Sequence, residues 1–208
     1  MIIVIAAGKG GSCKSTTALA IAAILHKRRK KILVVDCDPQ GSLSWVAESA
    51  EAQFDIAQEV DPMVLAQLGK LDDYDYIICD TPPKLSDDGL GTAVKLADYC
   101  ILPTPTSPLD TRELPRTINQ IIKPTKTPYR VLLARVDSRR AAEAIALQTK
   151  LSELDIPTFK AFIRNRVAHE RAIIEGKLIT QYKGSGAKDA LTDYTKVVTE
   201  LLKELRNA

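Results

Sequence analysis

Short runs rich in Ile, Val and Leu recur along the chain at Ile2–Ala6, Lys31–Asp36, Tyr76–Asp80, Tyr99–Thr104 and Arg130–Val136, with a weaker one at Thr158–Ile163. Most are continuously apolar instead of alternating, which is what a strand buried on both faces requires. Between them lie patterns with helical spacing: Ser15–Arg29, Leu43–Ala50, Pro62–Leu68, Gly89–Ala97, Leu114–Ile122, Ala141–Leu154, Ala168–Glu175 and Ala187–Leu205. Strand–helix alternation of this kind predicts a doubly wound, mostly parallel α/β sheet flanked by helices. Such sheets bind ligands beyond the carboxyl ends of their strands. No repeat, low-complexity tract or linker interrupts the pattern, and Gly184–Gly186 reads as a loop, so residues 1–208 are expected to form one domain. The residues before Ile2 leave no room for a DNA-reading helix-turn-helix.

Composition narrows this picture. Hydrophobic residues make up 45% of the chain but aromatics only 5%, so the core is expected to be aliphatic. Cys13, Cys37, Cys79 and Cys100 form no CxxC pair and read as small buried hydrophobes in a reducing cytosol. No basic leader precedes the first apolar run, and no apolar stretch approaches the ~20 residues of a membrane span. A cytoplasmic protein without stable membrane association is expected. Charge is unevenly placed: residues 1–125 carry 13 Lys and Arg against 16 Asp and Glu, whereas 126–208 carry 16 against 10. That asymmetry points toward an anionic partner for one face.

The strongest local signal is Gly8-Lys9-Gly10-Gly11-Ser12-Cys13-Lys14-Ser15, set between an apolar strand and a helix. Glycines let backbone N–H groups turn toward phosphate oxygens, and a helix N-terminus adds its dipole. Lys14 is placed to reach the β- and γ-phosphates of ATP, the Ser15 hydroxyl to hold Mg²⁺, and Thr16 to contact the α-phosphate. The usual phosphate loop, GxxxxGK[ST], has glycine where this chain has Cys13, at a position that often demands a backbone costly for any residue with a Cβ. With Lys9 included, the loop resembles the deviant Walker A motif, KGGxxK[ST], of ParA/MinD ATPases. That resemblance implies that Lys9 reaches across an ATP-bound homodimer to the partner's nucleotide.

Two acidic strand ends extend the match. Asp36-Cys37-Asp38-Pro39-Gln40 resembles the family's DxDPQ switch segment, in which Asp38 orients the attacking water and Asp36 supports the Mg²⁺ shell. Tyr76–Asp80 followed by Thr81-Pro82-Pro83 reads as Walker B, with Asp80 on Mg²⁺ through water. The loop from Thr81 resembles the second switch, and Ile101–Asp110 the matching segment of short partition ATPases. Iron-sulfur cousins of the family are excluded, since the loop cysteines for a bridging cluster are missing.

The stretch 160–188 holds Arg164, Arg166, Arg171, Lys177, Lys183 and Lys188, along with Lys160, against Glu170 and Glu175. No base-reading motif accompanies it, which suits sequence-independent contact with duplex DNA phosphates, and the family resemblance supports that use. Some of these arginines could instead face nucleotide or a partner subunit. His26 and His169 read as ordinary surface or packing histidines, and Trp45, just after the switch segment, as a packing residue and not a cofactor contact. The apolar stripe Val197, Val198, Leu201, Leu202, Leu205 lacks the basic, Phe- or Trp-rich character of a membrane-surface helix and is expected to pack on the sheet.

The resemblance therefore implies a slow, adaptor-stimulated ATPase that dimerises on nucleoid DNA and positions cargo through a ParB-like or other adaptor. A low-copy plasmid stands slightly ahead as cargo, with protein organelles such as carboxysomes close behind. A membrane switch like MinD and a metabolic enzyme resembling dethiobiotin synthetase are the alternatives.

Overall fold

A computed structural model describes residues 1–82, 88–107 and 111–206. Six parallel strands form one sheet: β1 (Ile2–Ile5), β2 (Ile32–Asp36), β3 (Asp55–Gln58), β4 (Tyr76–Asp80), β5 (Tyr99–Pro105) and β6 (Tyr129–Ala134). Their spatial order is β3-β2-β4-β1-β5-β6. Because side chains alternate across a strand, each run feeds two cores at once. Ile3, Ile5, Val34, Ile78, Ile101 and Leu132 face one layer, while Ile2, Val4, Leu33, Val35, Ile77 and Leu102 face the other.

The first layer contains α1 (Lys14–Lys27), α2 (Ser42–Ser49), α7 (Val167–Ile174) and α8 (Ala187–Leu205). The second contains α3 (Pro62–Leu65), α4 (Asp88–Leu96), α5 (114–125) and α6 (Ala141–Glu153). Helix α5 starts as Leu114–Thr117, widens through a π-helical stretch Ile118–Ile122 and ends at Lys123–Thr125. Helix α1 is buried almost all round, from Thr17 to Leu25, because it lies between the sheet and α8. Its run of alanines lets those layers approach closely. The stripe on α8 packs inward as expected, with Tyr194, Val197, Val198 and Leu201 buried.

Three expectations need correction. Strand β3 was not anticipated: it is an edge strand reading Asp-Ile-Ala-Gln, with only Ile56 partly buried, so it carries no apolar run. Thr158–Ile163 is not a strand. It follows β6 but makes only isolated bridges, Val131–Thr158 and Val136–Arg164. The amides of Lys160 and Ala161 instead donate to the Glu200 carboxylate, at 2.8 and 3.1 Å, which bends the backbone off the ladder. Trp45 is no packing residue; it is 62% exposed on α2. Residues 83–87, within the second-switch reading, and 108–110, at the end of Ile101–Asp110, lie outside the described residues. Among those described, no helix is long and apolar enough to cross a membrane.

Candidate functional site

Register brings the acidic strand ends to one level. Asp36 pairs with Asp80 across β2 and β4, Asp80 with Ile5 across β4 and β1, and Ile5 with Ile101 across β1 and β5. The β1–α1 loop therefore emerges directly beside both carboxylates, at the carboxyl edge where the chain switches sides of the sheet.

Two residues of that loop occupy the left-handed region, Gly11 at φ 73° and Cys13 at φ 68°. Glycine does so freely; cysteine does not. Cys13 is thus a strained N-cap for α1, and it makes no side-chain capping bond. The departure noted in the sequence falls where glycine would be easiest. Ser12 is buried and its hydroxyl donates to the Lys9 carbonyl at 3.3 Å, tightening the loop. Lys9 is half-buried and lines a hollow with Pro105, Glu113 and Leu114, on the β5–α5 side of the loop. Replacing Cys13 with Gly is expected to raise unfolding free energy by at most about 1 kcal/mol, since relieved strain is partly offset by a more flexible unfolded chain. Chemical denaturation measures this, and a loss of stability would contradict the strain assignment.

Lys14 is buried at 8% exposure, and burial pushes its ammonium below the ordinary lysine range, with Asp80 and then Asp38 pulling it back up. Asp80 is 1% exposed. Burial raises it to about 7, against the opposing effects of a hydrogen bond with the Ser15 side chain and of the Lys14 charge. Its Oδ1 has no hydrogen-bond partner. An orphaned carboxylate oxygen beside a hydroxyl and a buried ammonium is suited to a divalent cation and a polyphosphate.

Because the native state holds the Asp80 proton to higher pH than the unfolded chain, folding stability must fall as pH rises from about 4 to about 7. Asp80→Asn removes that cost. Without nucleotide or metal, the variant should exceed the wild type by about 2–4 kcal/mol at pH 8 and match it near pH 4. Denaturation across this range checks it; a variant weaker at pH 8 would contradict the assignment.

Asp36 is fully buried and spends both oxygens on the protein. Its Oδ1 accepts the Asp38 amide at 3.1 Å, and its Oδ2 accepts the amide and hydroxyl of Ser44 at 2.9 and 3.0 Å. It therefore sets the Asp38 backbone and ties the segment to α2. Asp38 is half-buried; its Oδ1 accepts the Gln40 amide, and its carbonyl accepts the Gly41 amide at 2.9 Å. Gly41 has φ 62°, and a Cβ there would come within 3.0 Å of the Gln58 amide, so this turn needs glycine.

A cleft flanks the loop on the other side, lined by Cys13, Thr16, Arg135, Asn165, His169 and Tyr194. The basic cluster of 160–188 divides here. Arg164 and Arg166 are half-buried and both clamp the buried Asp193, Arg164 at 2.7 Å and Arg166 at 3.0 Å. Lys177 pairs with Glu175. Arg171, Lys183 and Lys188 stand exposed. His169 is wedged edge-on against Tyr194, and neither ring nitrogen has a partner. The Tyr194 hydroxyl meets Thr17 at 3.1 Å, joining α8 to the first turn of α1. Asp193 and Ser44 were missed from the sequence. A polar residue on the buried stripe of α8 was the available signal for Asp193; Ser44 had none. Arg135, which directly follows β6 with φ 54°, was also missed.

The model of the CobQ/CobB/MinD/ParA nucleotide binding domain matches residues 3–179. A relative from Gloeobacter kilaueensis, "Maintenance of carboxysome distribution protein A", is 44% identical over 99% of this chain and 95% of its own length. Among solved structures, a plasmid partition protein from Borrelia burgdorferi bound to AMPPNP superposes with a TM-score of 0.76 at 22% identity, covering 98% of both chains. The ATP complex of an aspartate-to-alanine variant of Cyanothece McdA gives 0.75 at 20% identity, covering 96% of this chain and 95% of that one. The chain belongs to the CobQ/CobB/MinD/ParA family of nucleotide-binding domains and, within it, to the group of proteins called maintenance of carboxysome distribution protein A.

Proposed function

We propose that the chain is an ATP-driven switch that distributes carboxysomes along nucleoid DNA. The observation that carries this reading is the convergence of the strained loop, the buried Lys14, the orphaned Oδ1 of Asp80 and the anchored Asp38 at one edge of the sheet. The Gloeobacter relative's name supplies the cargo. It also reverses the order read from sequence, where a plasmid stood slightly ahead.

Backbone amides of Gly8–Cys13 and the α1 N-terminus receive the phosphates, and Lys14 neutralises the β- and γ-oxygens. Thr16, half-buried in the first turn of α1, faces the α-phosphate. Ser15 and Asp80 would hold Mg²⁺, which supplies charge neutralisation on the phosphoryl group; the orphaned Asp80 Oδ1 fits that role. Asp38 orients the attacking water, and Asp36 fixes Asp38 through its amide. Lys9 closes a sandwich dimer from the partner's side. The dimer grips duplex DNA without reading sequence, a carboxysome-bound adaptor stimulates hydrolysis, and the released protein leaves a local depletion behind. The scarcity of exposed apolar residues between the cations of α8 favours this over a MinD-like membrane switch. The DxDPQ segment and Lys9 favour it over a dethiobiotin-synthetase-like enzyme.

The test is carboxysome spacing in cells whose only copy carries Lys14→Ala. Clustered carboxysomes are expected; normal spacing would remove the proposal.

A further inference from the structure

Helix α8 separates its charges by face. At about 100° per residue, Asp189, Asp193, Glu200 and Glu204 fall along one flank. Each is occupied there: Asp189 and Asp193 by Arg166 and Arg164, and Glu200 and Glu204 by Arg130 at 3.3 and 3.0 Å. The outer ridge, about 95° away on average, carries Lys188, Lys196 and Lys203, with Arg206 at the C-cap, all exposed and without an ion-pair partner among the described residues. The neutral positions between them are Thr192 and Thr199.

The end of α1 completes the ridge. Arg28 donates to the Thr199 hydroxyl at 3.1 Å, so its guanidinium lies between Lys196 and Lys203. Lys27 donates to the Thr180 carbonyl at 2.7 Å, fixing the same end of α1 against this layer. Arg29 follows at φ 62°, in the position where a helix usually ends on glycine. An arginine kept there at a conformational cost adds another exposed cation to this edge.

We propose that this α8–α1 ridge, which shares only Lys188 with the 160–188 cluster read from the sequence, is the surface that grips duplex DNA. The proposal rests on the nucleoid-riding function above and names the surface for it. Each carboxylate of the acidic flank is held by a part-buried arginine, the four sharing Arg130, Arg164 and Arg166, so the ridge faces solvent as a strip of cations with no carboxylate paired to them. From Lys188 to Arg206 it runs about 27 Å at 1.5 Å per residue, comparable to the rise of eight base pairs. Its threonines offer hydroxyls to phosphate and nothing to insert among lipid tails, which favours nucleic acid over a membrane surface. In the 160–188 cluster, by contrast, Arg164, Arg166 and Lys177 already hold carboxylates. The Tyr194–Thr17 bond ties the ridge helix to the turn that follows the phosphate loop, a direct route by which nucleotide could set its position.

The experiment compares two triple variants of the full chain, Lys196→Gln/Lys203→Gln/Arg206→Gln and Arg171→Gln/Lys177→Gln/Lys183→Gln. With ATP and Mg²⁺, anisotropy on a random-sequence 30-base-pair duplex is read across a salt series, alongside flotation with phosphatidylglycerol-containing vesicles. The ridge triple should bind at least 10-fold more weakly at 0.1 M salt, and its log–log salt slope should be shallower by about 2.7, from three lost phosphate contacts. The other triple should stay within about 3-fold of wild type, and basal ATP turnover of both should be unchanged. Loss in the second triple with the ridge triple unaffected would overturn the assignment and return DNA to the 160–188 face. Vesicle binding that the ridge triple abolishes would give the ridge to a membrane. If the wild type binds no DNA in any nucleotide state, the nucleoid-riding reading itself falls, an outcome distinct from a failure of the ridge alone.

Discussion

Lys14→Ala is expected to weaken ATP binding by about a thousandfold while the protein still folds. The ammonium is buried at 8% exposure and lowered by desolvation, with Asp80 and then Asp38 pulling it back up. Phosphate is the partner that justifies such a position. Charge-assisted hydrogen bonds contribute about 1.5–3 kcal/mol each, so losing two, to the β- and γ-oxygens, costs about 4 kcal/mol, or three orders of magnitude. The fold should survive because Asp80, left without its cation, can take up a proton near neutral pH. Titration calorimetry measures the affinity and far-ultraviolet circular dichroism the fold. Affinity within 10-fold of wild type would show that Lys14 is not the phosphate ligand.

Asp38→Ala separates binding from chemistry. Asp38 belongs not to the phosphate loop but to a turn built by the Asp36 carboxylate, Gly41 and the Gln40 amide. In the proposed mechanism it orients water without cradling the phosphates. Turnover should fall at least 100-fold, the usual loss when one positioned group is removed from a transition state, while ATP affinity stays within about 3-fold. Single-turnover hydrolysis read together with equilibrium binding checks both halves. A parallel loss of affinity would mean that Asp38 acts on the ground state instead.

Elements whose role depends on their own residues were legible in the sequence. Continuous apolar runs marked β1, β2, β4, β5 and β6, because a central parallel strand has no wet face to conceal its pattern. The phosphate loop was legible because backbone geometry demands glycine at set spacings, and even its irregular member, Cys13, pointed to the left-handed conformation found there. What stayed hidden depends on distant partners. β3 is polar because it is an edge, and its identity comes from pairing with β2. The segment 158–163 has strand-like residues, yet Glu200, some 40 positions later, takes its amides. Trp45 looked like core and projects from α2, because Val46 and Ala47 fill the inward face of that turn instead. The basic cluster illustrates the same limit. Counting charges in 160–188 could not reveal that Asp193, on another helix, holds both Arg164 and Arg166 in ion pairs.

The central claim is that nucleotide state governs the grip on DNA. Its most direct test is binding of the wild type to random-sequence duplex at several salt concentrations with no nucleotide, with ADP, and with ATP plus Mg²⁺, beside Lys14→Ala in the last condition. Binding that requires ATP, weakens steeply with salt and disappears in Lys14→Ala is the expected result. Binding that is equal in all three nucleotide states, or absent from all of them, would contradict the switch.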